Sequence, residues 1–368
     1  MMNVRLIAEQ DILTVSGERI GRPSDIVDAS IRVGSGVLLP GLINTHDHLH
    51  RNHYPRLGSP PYPNAYVWAN DLSTRFAPEV SHARSLPRDT ALLFGALKNL
   101  LGGATTAVHH DRWESAFERD FPIRVPRIRT AHSLRLEHDL ASTRSATRDA
   151  TTPLAMHLAE GTDALSADEV READRVGLLD DRFIAVHMVG ADADGIRRFR
   201  QSGAAVIWCP TSNEFLFGKT VPVALLAADV SVLIGTDALL TGTGTILDEL
   251  KAARGLGMID DGRLLDGVGP AAARRLGLTK PSLSPGAPAD VVLLRTSILD
   301  ASPRDVALVL VGGMPRLADA GLREIFDIAG VACEPLVVHG EEKLVAWPLA
   351  RAAREVFALS PECARIVA

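Results

Sequence analysis

The sequence predicts an α/β protein whose main domain is a (β/α)8 TIM barrel. Near-continuous apolar runs of strand length recur along the chain, and segments of helical character separate them. Several of these runs end in a residue of a type that binds metal ions. Near-continuous apolar strands are typical of parallel sheets that are buried on both faces. Barrels of this class build their active sites at the carboxyl ends of the strands, so the polar residues favour a barrel over an open sheet.

Seven apolar runs are the predicted barrel strands. They lie at 37–46, 104–110, 123–133, 153–159, 183–190, 204–210 and 231–237. The helices between them are predicted at 87–101, 166–179, 193–201 and 221–228. The interval from Ser133 to Pro153 is too short for a normal βα unit and a further strand. We therefore expect a barrel that is distorted near strand 4, or a very short fourth strand.

The two chain ends carry short β-like runs with glycine and proline turns. These runs predict a small β-sandwich subdomain that residues 1–38 and 285–345 build together. The barrel is predicted at 39–284, and 346–368 is predicted as a helical tail. Within the tail, Trp347 to Leu359 has the pattern of an amphipathic helix.

Composition excludes several classes of function. Among 368 residues 46% are hydrophobic, and the net charge of −6 comes without a basic patch, so nucleic acid is not an expected partner. The three scattered cysteines form neither a disulfide framework nor a thiolate metal site. The start lacks a long apolar segment and no run has the length of a membrane span. We therefore expect a cytoplasmic protein with no membrane partner, which acts on or binds a small molecule.

Histidines and one aspartate form a candidate metal centre. In the stretch PGLINTHDHLHRNH, His46 and His48 are two residues apart, so on a strand both imidazoles project from one face. His157, His187 and Asp237 each end a later apolar run. Together these residues offer nitrogen and oxygen ligands for one divalent metal ion, zinc or iron.

Glu160 is the candidate proton carrier. It follows His157 by three residues in HLAE, where the strand gives way to its loop. A carboxylate there can take a proton from a metal-activated water and pass it to a leaving group. The alternative is an acid at the N-terminus of the next helix. His50 and His53, on the loop after the first pair of histidines, are expected to be solvated rather than to contact substrate.

Further residues are candidates for substrate binding. His109 and His110 are adjacent, so only one of them can face the barrel centre. Asn213 could exchange hydrogen bonds with a heterocycle or an amide, or form a turn. Trp208 could wall a flat substrate, or pack in the core. His132 is expected to be structural, although its place near a strand end keeps it a candidate.

The ordered motifs PGLINTHDH, HLAEG, AVHMVG, CPTSN, GTD and PGAPADVVLL resemble the amidohydrolase superfamily. The resemblance is closest to the branch of mononuclear cytosine and S-adenosylhomocysteine deaminases and triazine hydrolases, and it runs from about Asp28 to Leu294. It implies a (β/α)8 barrel with a terminal β-sandwich, and the family's habit makes a homo-oligomer the expected assembly. It assigns the metal ligands to His46, His48, His157 and Asp237.

The same resemblance implies the catalytic roles. Asp237 would also bond the nucleophilic water, Glu160 would shuttle protons, and His187 would contact the substrate, the tetrahedral intermediate or the metal. Two-metal members of the superfamily bridge their ions with a carbamylated lysine at strand four. No lysine lies between the second predicted strand and His157, so the sequence favours a mononuclear centre.

Two classes of function follow. The first is a hydrolase in which a metal-activated water attacks a carbon–nitrogen centre. It would deaminate a small heterocyclic or amidine-type substrate, or hydrolyse a carboxamide or lactam C–N bond with the same site. The second is a catalytically silent barrel that serves as a binding protein, whose signature would be a broken ligand set. Substrate choice is expected to reside in the loops at 50–75, 111–121 and 211–220.

Overall fold

The computed structural model describes residues 2–9, 11–136, 152–227 and 229–368. The predicted distortion near strand 4 falls partly on residues 137–151 and lies to that extent outside the described residues. Among the residues described, no helix is both long enough and apolar enough to cross a membrane.

A four-stranded sheet opens the chain. Its strands are β1 (Asn3–Ala8), β2 (Ile12–Ser16), β3 (Arg19–Ile20) and β4 (Ala29–Gly34), in the order β3-β2-β1-β4. Every second residue of β1 is buried, so one face of the sheet packs inward. The predicted short N-terminal strands are confirmed.

The apolar run at 37–46 forms two strands rather than the single predicted one. They are β5 (Val37–Pro40) and β6 (Leu42–Asp47), which Gly41 separates. A Cβ at Gly41 would lie 2.0 Å from Oγ1 of Thr105, so only glycine fits where these two backbones approach. This break lets β5 join the terminal sheet while β6 enters the barrel region.

Seven strands, most of them buried, make up the barrel region in the described part of the chain. After β6 they are β7 (Ala104–His109), β8 (Arg129–Ser133), β9 (Leu154–Leu158), β10 (Phe183–His187), β11 (Ala205–Trp208) and β12 (Ser231–Ile234). β8 to β12 form one parallel sheet, and β6 pairs with β7 in parallel. The predicted parallel α/β architecture is therefore confirmed.

The two parallel sheets meet at both edges. Asp47 of β6 forms a parallel bridge with Asp237, just beyond β12. At the other edge, Nε2 of His110 donates a hydrogen bond to the carbonyl oxygen of Ala131 in β8 (2.9 Å). The described residues contain seven barrel-region strands, so a closed ring of eight stays a prediction.

Eleven α-helices surround the strands in the part of the chain that is described. They are α1 (Ala65–Ser73), α2 (Ala77–Ala83), α3 (Arg88–Leu101), α4 (Ala164–Arg175), α5 (Ala193–Ser202), α6 (Pro210–Phe217), α7 (Ile246–Leu256), α8 (Asp261–Gly267), α9 (Pro270–Leu276), α10 (Arg323–Ala329) and α11 (Trp347–Leu359). Helices α3, α4 and α5 confirm three predictions. The helix predicted at 221–228 is wrong, because its described residues after Pro222 form only one 3-10 turn, Val223–Leu226.

The C-terminal strands form a six-stranded antiparallel sheet together with β5. They are β13 (Val291–Leu294), β14 (Val306–Val311), β15 (Met314–Asp319), β16 (Cys333–Val338) and β17 (Glu341–Ala346), in the order β16-β17-β15-β14-β13-β5. Only β5 joins the C-terminal strands, whereas β1 to β4 form a separate sheet, and the predicted domain boundaries stay predictions. The amphipathic helix predicted from Trp347 is α11, which packs on α3 with Phe357 against Phe94.

Candidate metal centre and active site

Histidines from three strands converge at one end of the barrel region. The ring centroids of His46 and His48 lie 5.0 Å apart, those of His46 and His157 also 5.0 Å, and those of His157 and His187 5.4 Å. All four side chains are buried. One nitrogen each from His46, His48 and His157 lies within 4.8 Å of the others. The strand-end residues predicted to meet therefore do meet.

The ring nitrogens of these histidines fit a divalent metal ion. Among the described residues, neither nitrogen of His46 has a hydrogen-bond partner, although the ring is fully buried. His157 donates from Nδ1 to the carbonyl oxygen of His132 (2.7 Å), which leaves the lone pair of Nε2 available. Metal-ligating histidines ordinarily have their second nitrogen fixed in this way. A bound cation would satisfy buried nitrogens that otherwise cost free energy.

Asp237 completes the donor set. Its Oδ1 lies 3.6 Å from Nε2 of His46 and 3.4 Å from Nε2 of His48. Its Oδ2 accepts hydrogen bonds from the hydroxyls of Ser212 (2.7 Å) and Thr241 (2.8 Å). Burial raises the pKa of Asp237, but the contact with His46 and the charge of the histidines outweigh that effect and hold this pKa well below its usual range. The carboxylate is thus ionised and fixed in orientation.

The backbone is strained where the functional side chains leave their strands. The φ angle is 76° at His187, 54° at Asp237 and 51° at Ala159, which precedes Glu160. A non-glycine residue in this left-handed region costs on the order of 1–3 kcal/mol, and such residues concentrate at functional sites. The strain turns these side chains towards the shared centre.

Glu160 lies against His187, with 3.6 Å between its Oε1 and Nε2 of the histidine. Burial raises the pKa of Glu160 to about 7, and the nearby carboxylates of Asp237 and Glu169 add to the rise while His187 opposes it. The alternative role as a helix N-terminal acid is wrong, because Asp163 caps α4 by accepting from the Ser166 backbone N–H (2.9 Å). The carboxyl group is therefore free to face the cavity.

A buried ion pair holds Asp47, the residue between His46 and His48. Nζ of Lys98, on α3, lies 3.0 Å from Oδ2 of Asp47, and it donates to Oγ1 of Thr236 (2.7 Å). Asn99 and Asn52 donate to the two oxygens of Asp47 at 2.7 Å and 2.8 Å. Sequence reasoning missed this network. Its signal was the polar pair Lys98–Asn99 inside the apolar helix FGALKNLL.

A cavity of about 380 Å³ opens beside the centre, and His48, His157, Glu160, His187 and Asp237 reach it. Its other walls are largely apolar and aromatic. They include Tyr54, Tyr66, Trp68, Leu72, Val80, Leu136 and Leu240. The loop at 50–75 thus lines the cavity as predicted. Among the described residues, the loops at 111–121 and 211–220 contribute nothing to its lining.

Two predicted substrate contacts point elsewhere. Trp208 is fully buried and donates from Nε1 to Oγ1 of Thr220 (2.6 Å), so the prediction that it walls the substrate is wrong and its core alternative holds. Asn213 is also fully buried, with Oδ1 2.8 Å from Nδ1 of His187. It lies outside the cavity lining and positions His187, so direct substrate contact by Asn213 is wrong. The orientations of these two side chains depend on local packing that the sequence pattern does not reveal.

The register of β7 separates the adjacent histidines. The ring of His110 lies 4.3 Å from that of His157 and 4.8 Å from that of His46, whereas His109 faces away, towards His50 and Phe117. A role for His109 in substrate binding is therefore wrong. His110 adjoins the metal centre but does not line the cavity.

The loop histidines are not solvated. His50 and His53 are 9% and 3% exposed, and His53 donates from Nε2 to the carbonyl oxygen of Ala83 (2.9 Å). The expectation of solvated side chains is wrong because α2 contacts His53 and α3 packs against the turn that carries His50. His132 lines the cavity, and its backbone carbonyl holds His157. Both the structural role and the candidate role in the site therefore have support.

Glu249 on α7 provides a test of buried-charge energetics. It is fully buried and accepts hydrogen bonds from the Thr211 backbone N–H (3.0 Å) and hydroxyl. Burial raises its pKa to about 8, with Asp248 adding to the rise and Lys98 opposing it. Ionisation of Glu249 therefore costs stability as pH rises from its unfolded pKa through about 8.

Replacing Glu249 with Gln removes this titration while keeping an acceptor for Thr211. We expect the difference in the free energy of unfolding, variant minus wild type, to be larger at pH 9 than at pH 5, by at least ~1 kcal/mol. Urea unfolding at both pH values measures the difference. An equal stability difference at the two pH values would contradict the elevated pKa.

Comparisons with known proteins show what this chain is similar to. Residues 139–316 match the family model described as "Amidohydrolase family". The chain is 40% identical over 89 residues to an aminodeoxyfutalosine deaminase of Deinococcus radiodurans, covering 24% of this chain and 21% of that protein. It is 30% identical over 171 residues to a 5-methylthioadenosine/S-adenosylhomocysteine deaminase of Haloarcula marismortui, covering 43% and 38%. The matches thus span well under half the length of these curated relatives.

A solved structure extends the likeness to nearly the whole chain. An adenosine deaminase from Xanthomonas campestris with bound zinc superposes with a TM-score of 0.70 at 17% identity, covering 98% of each chain. At that identity the likeness shows a shared fold, which is of the TIM-barrel type. The resemblance inferred from the motifs is confirmed in that residues 139–316, just under half of the chain, match the amidohydrolase family model.

Proposed function

We propose that the chain is a metal-dependent hydrolase that deaminates a small heterocyclic or amidine-type substrate. The observation that carries the proposal is the position of Glu160, a carboxyl group with a pKa of about 7 that faces the cavity beside a convergent set of metal-type donors. A carboxyl group that titrates near neutral pH can both accept and return a proton during one turnover. The intact donor set speaks against a silent binding protein.

His46, His48, His157 and Asp237 are the residues that would hold one ion, and nitrogen and oxygen donors without a thiolate suit zinc or iron. Zinc is the first choice because the similar adenosine deaminase structure contains it. When bound, such an ion lowers the pKa of a coordinated water towards neutrality and polarises the group under attack. Side chains of the protein carry out the proton transfers.

Glu160 and His187 perform the proton transfers and the charge stabilisation. Ionised Glu160 takes the proton of the attacking water and, as the neutral acid, delivers it to the departing amine. His187 is held through Nδ1 by Asn213, so its Nε2 points to Glu160 at 3.6 Å. Through Nε2, His187 is placed to stabilise the oxygen on which negative charge develops.

The cavity favours a planar substrate. Tyr54, Tyr66 and Trp68 supply aromatic surface beside the catalytic groups, and flat rings pack well on such walls. Deamination of a ring carbon and hydrolysis of a carboxamide or lactam share the same tetrahedral chemistry. The relatives named above are deaminases, which makes deamination the leading reaction and amide hydrolysis the second candidate.

An ammonia-release assay tests the proposal. Protein loaded with zinc and the same protein stripped by a chelator are incubated with adenine nucleosides, amino-triazines, cytosine and simple carboxamides. We expect ammonia from at least one ring amine, at least 100-fold faster with metal than without. Release from carboxamides alone would favour the second candidate. No release from any probe by the metal-loaded protein would contradict a hydrolase of either kind.

A further inference from the structure

A second cluster of ligand-type side chains lies beside the candidate metal centre. It consists of His50, in the 3-10 turn Leu49–Arg51 after β6, His109 at the end of β7, and Asp111 two residues further on. One ligand atom from each lies within 4.8 Å of the other two. Nε2 of His50 is 3.3 Å from Oδ2 of Asp111, and the rings of His50 and His109 lie 5.3 Å apart.

His109 supplies an independent reason to expect a ligand. Its side chain is only 6% exposed, and neither ring nitrogen has a hydrogen-bond partner among the described residues. Nδ1 of His50 is buried and unpartnered in the same sense. Leaving such buried nitrogens without partners costs free energy of folding. A cation would satisfy one nitrogen of each ring, because a neutral imidazole offers a single lone pair.

The cluster is separate from the catalytic cavity. Successive residues of a strand point to opposite faces, so His110 faces His157 while His109 faces the other way. His50, His109 and Asp111 do not line the substrate cavity. An ion held by them would therefore join the loop after β6 to the loop after β7, outside the reacting centre.

Two arginines already contact the cluster, and Arg88 keeps a partner when a cation binds. Nη2 of Arg88 lies 2.9 Å from Oδ2 of Asp111, but Arg88 also binds Glu114 through Nη2 and Nε at 2.6 Å and 3.0 Å. Oδ2 of Asp111 faces both His50 and Arg88, and Arg88 keeps Glu114 as a partner if a cation takes that oxygen. Nε of Arg51 donates to Nε2 of His50 over a long 3.3 Å. This arginine is the one competing occupant of that lone pair.

We propose that His50, His109 and Asp111 form a second metal site, outside the catalytic cavity, that takes a zinc ion. Two imidazoles and one carboxylate, with a water in the fourth position, match the donor types and number that zinc accepts. The ion would clamp the loop at 50–75, which lines the cavity, to the loop at 111–121. Because the ion binds only the folded state, it would also stabilise the protein.

Zinc stoichiometry on four variants tests the site. Metal-stripped protein is reloaded with zinc, dialysed to remove loose ions and measured by elemental analysis. We expect two equivalents in the wild type and one in both Asp111→Ala and His109→Phe, the latter keeping a ring that packs on Phe117. A His46→Ala, His48→Ala double variant is expected to retain one equivalent, and His82→Ala, which changes an exposed histidine, two.

The outcomes separate this proposal from the catalytic one. One equivalent in the wild type that persists in Asp111→Ala and disappears in the double variant would overturn the second site and leave the catalytic centre standing. One equivalent that disappears in Asp111→Ala and persists in the double variant would support the second site and overturn the catalytic one. No zinc in the wild type, or two equivalents in both Asp111→Ala and His109→Phe, would overturn the second site.

Discussion

Replacing Glu160 with Gln lowers turnover on any substrate of this protein by about 10²–10⁴-fold, which is the typical contribution of a general acid–base group. The amide has nearly the shape of the carboxyl group but cannot take a proton from water or return one to an amine. Because the proposed metal donors are other side chains, the metal content is expected to stay unchanged. Turnover rates and elemental analysis on the same preparation measure both quantities.

A matched control is Glu214→Gln, which makes the same chemical change at an exposed position on α6. We expect wild-type turnover from this control. Retained turnover in Glu160→Gln would remove Glu160 from the mechanism. Loss of metal from Glu160→Gln would instead show that the carboxylate belongs to the ligand set.

Replacing Lys98 with Met destabilises the fold by about 3–5 kcal/mol, the usual cost of removing one partner from a buried ion pair. Lys98 and Asp47 are both fully buried, with 3.0 Å between Nζ and Oδ2. Methionine fills much of the volume of the lysine side chain. It leaves the Asp47 carboxylate, which lies between the two proposed metal ligands in the sequence, without its counter-charge. Urea unfolding of metal-stripped protein measures the free energy of unfolding without a contribution from metal binding.

Two further variants isolate the cause. Lys251→Met, at an exposed position, is expected to change stability by less than about 0.5 kcal/mol. Adding Asp47→Asn to Lys98→Met removes the unpaired charge and is expected to restore part of the loss. An unchanged unfolding midpoint for Lys98→Met would contradict the account of this ion pair.

The ends of the barrel strands were predictable because their signal is local. An apolar run followed at once by a ligand-type residue gives both the strand and the place of His46, His157, His187 and Asp237. The same reasoning failed at Gly41, where the break between β5 and β6 depends on the approach of Thr105 from a distant strand. Nothing within the run itself indicates that contact.

The sequence also did not predict the direction in which single side chains point. Whether His109 or His110 faces the centre depends on strand register. The burial of His53 depends on α2, and that of His50 on α3, which packs against its turn. The Lys98–Asp47 pair likewise requires α3 to dock behind β6. Such features arise from long-range packing, so they emerge only with the fold.

Metal content of the wild type and of the His46→Ala, His48→Ala double variant tests the central claim most directly, when turnover is measured on the same samples. The account predicts that the double variant holds one equivalent of zinc or iron fewer than the wild type, remains folded, and has no measurable turnover. Equal metal content in the two proteins, or full turnover by the variant, would contradict a metal-dependent active site at these histidines.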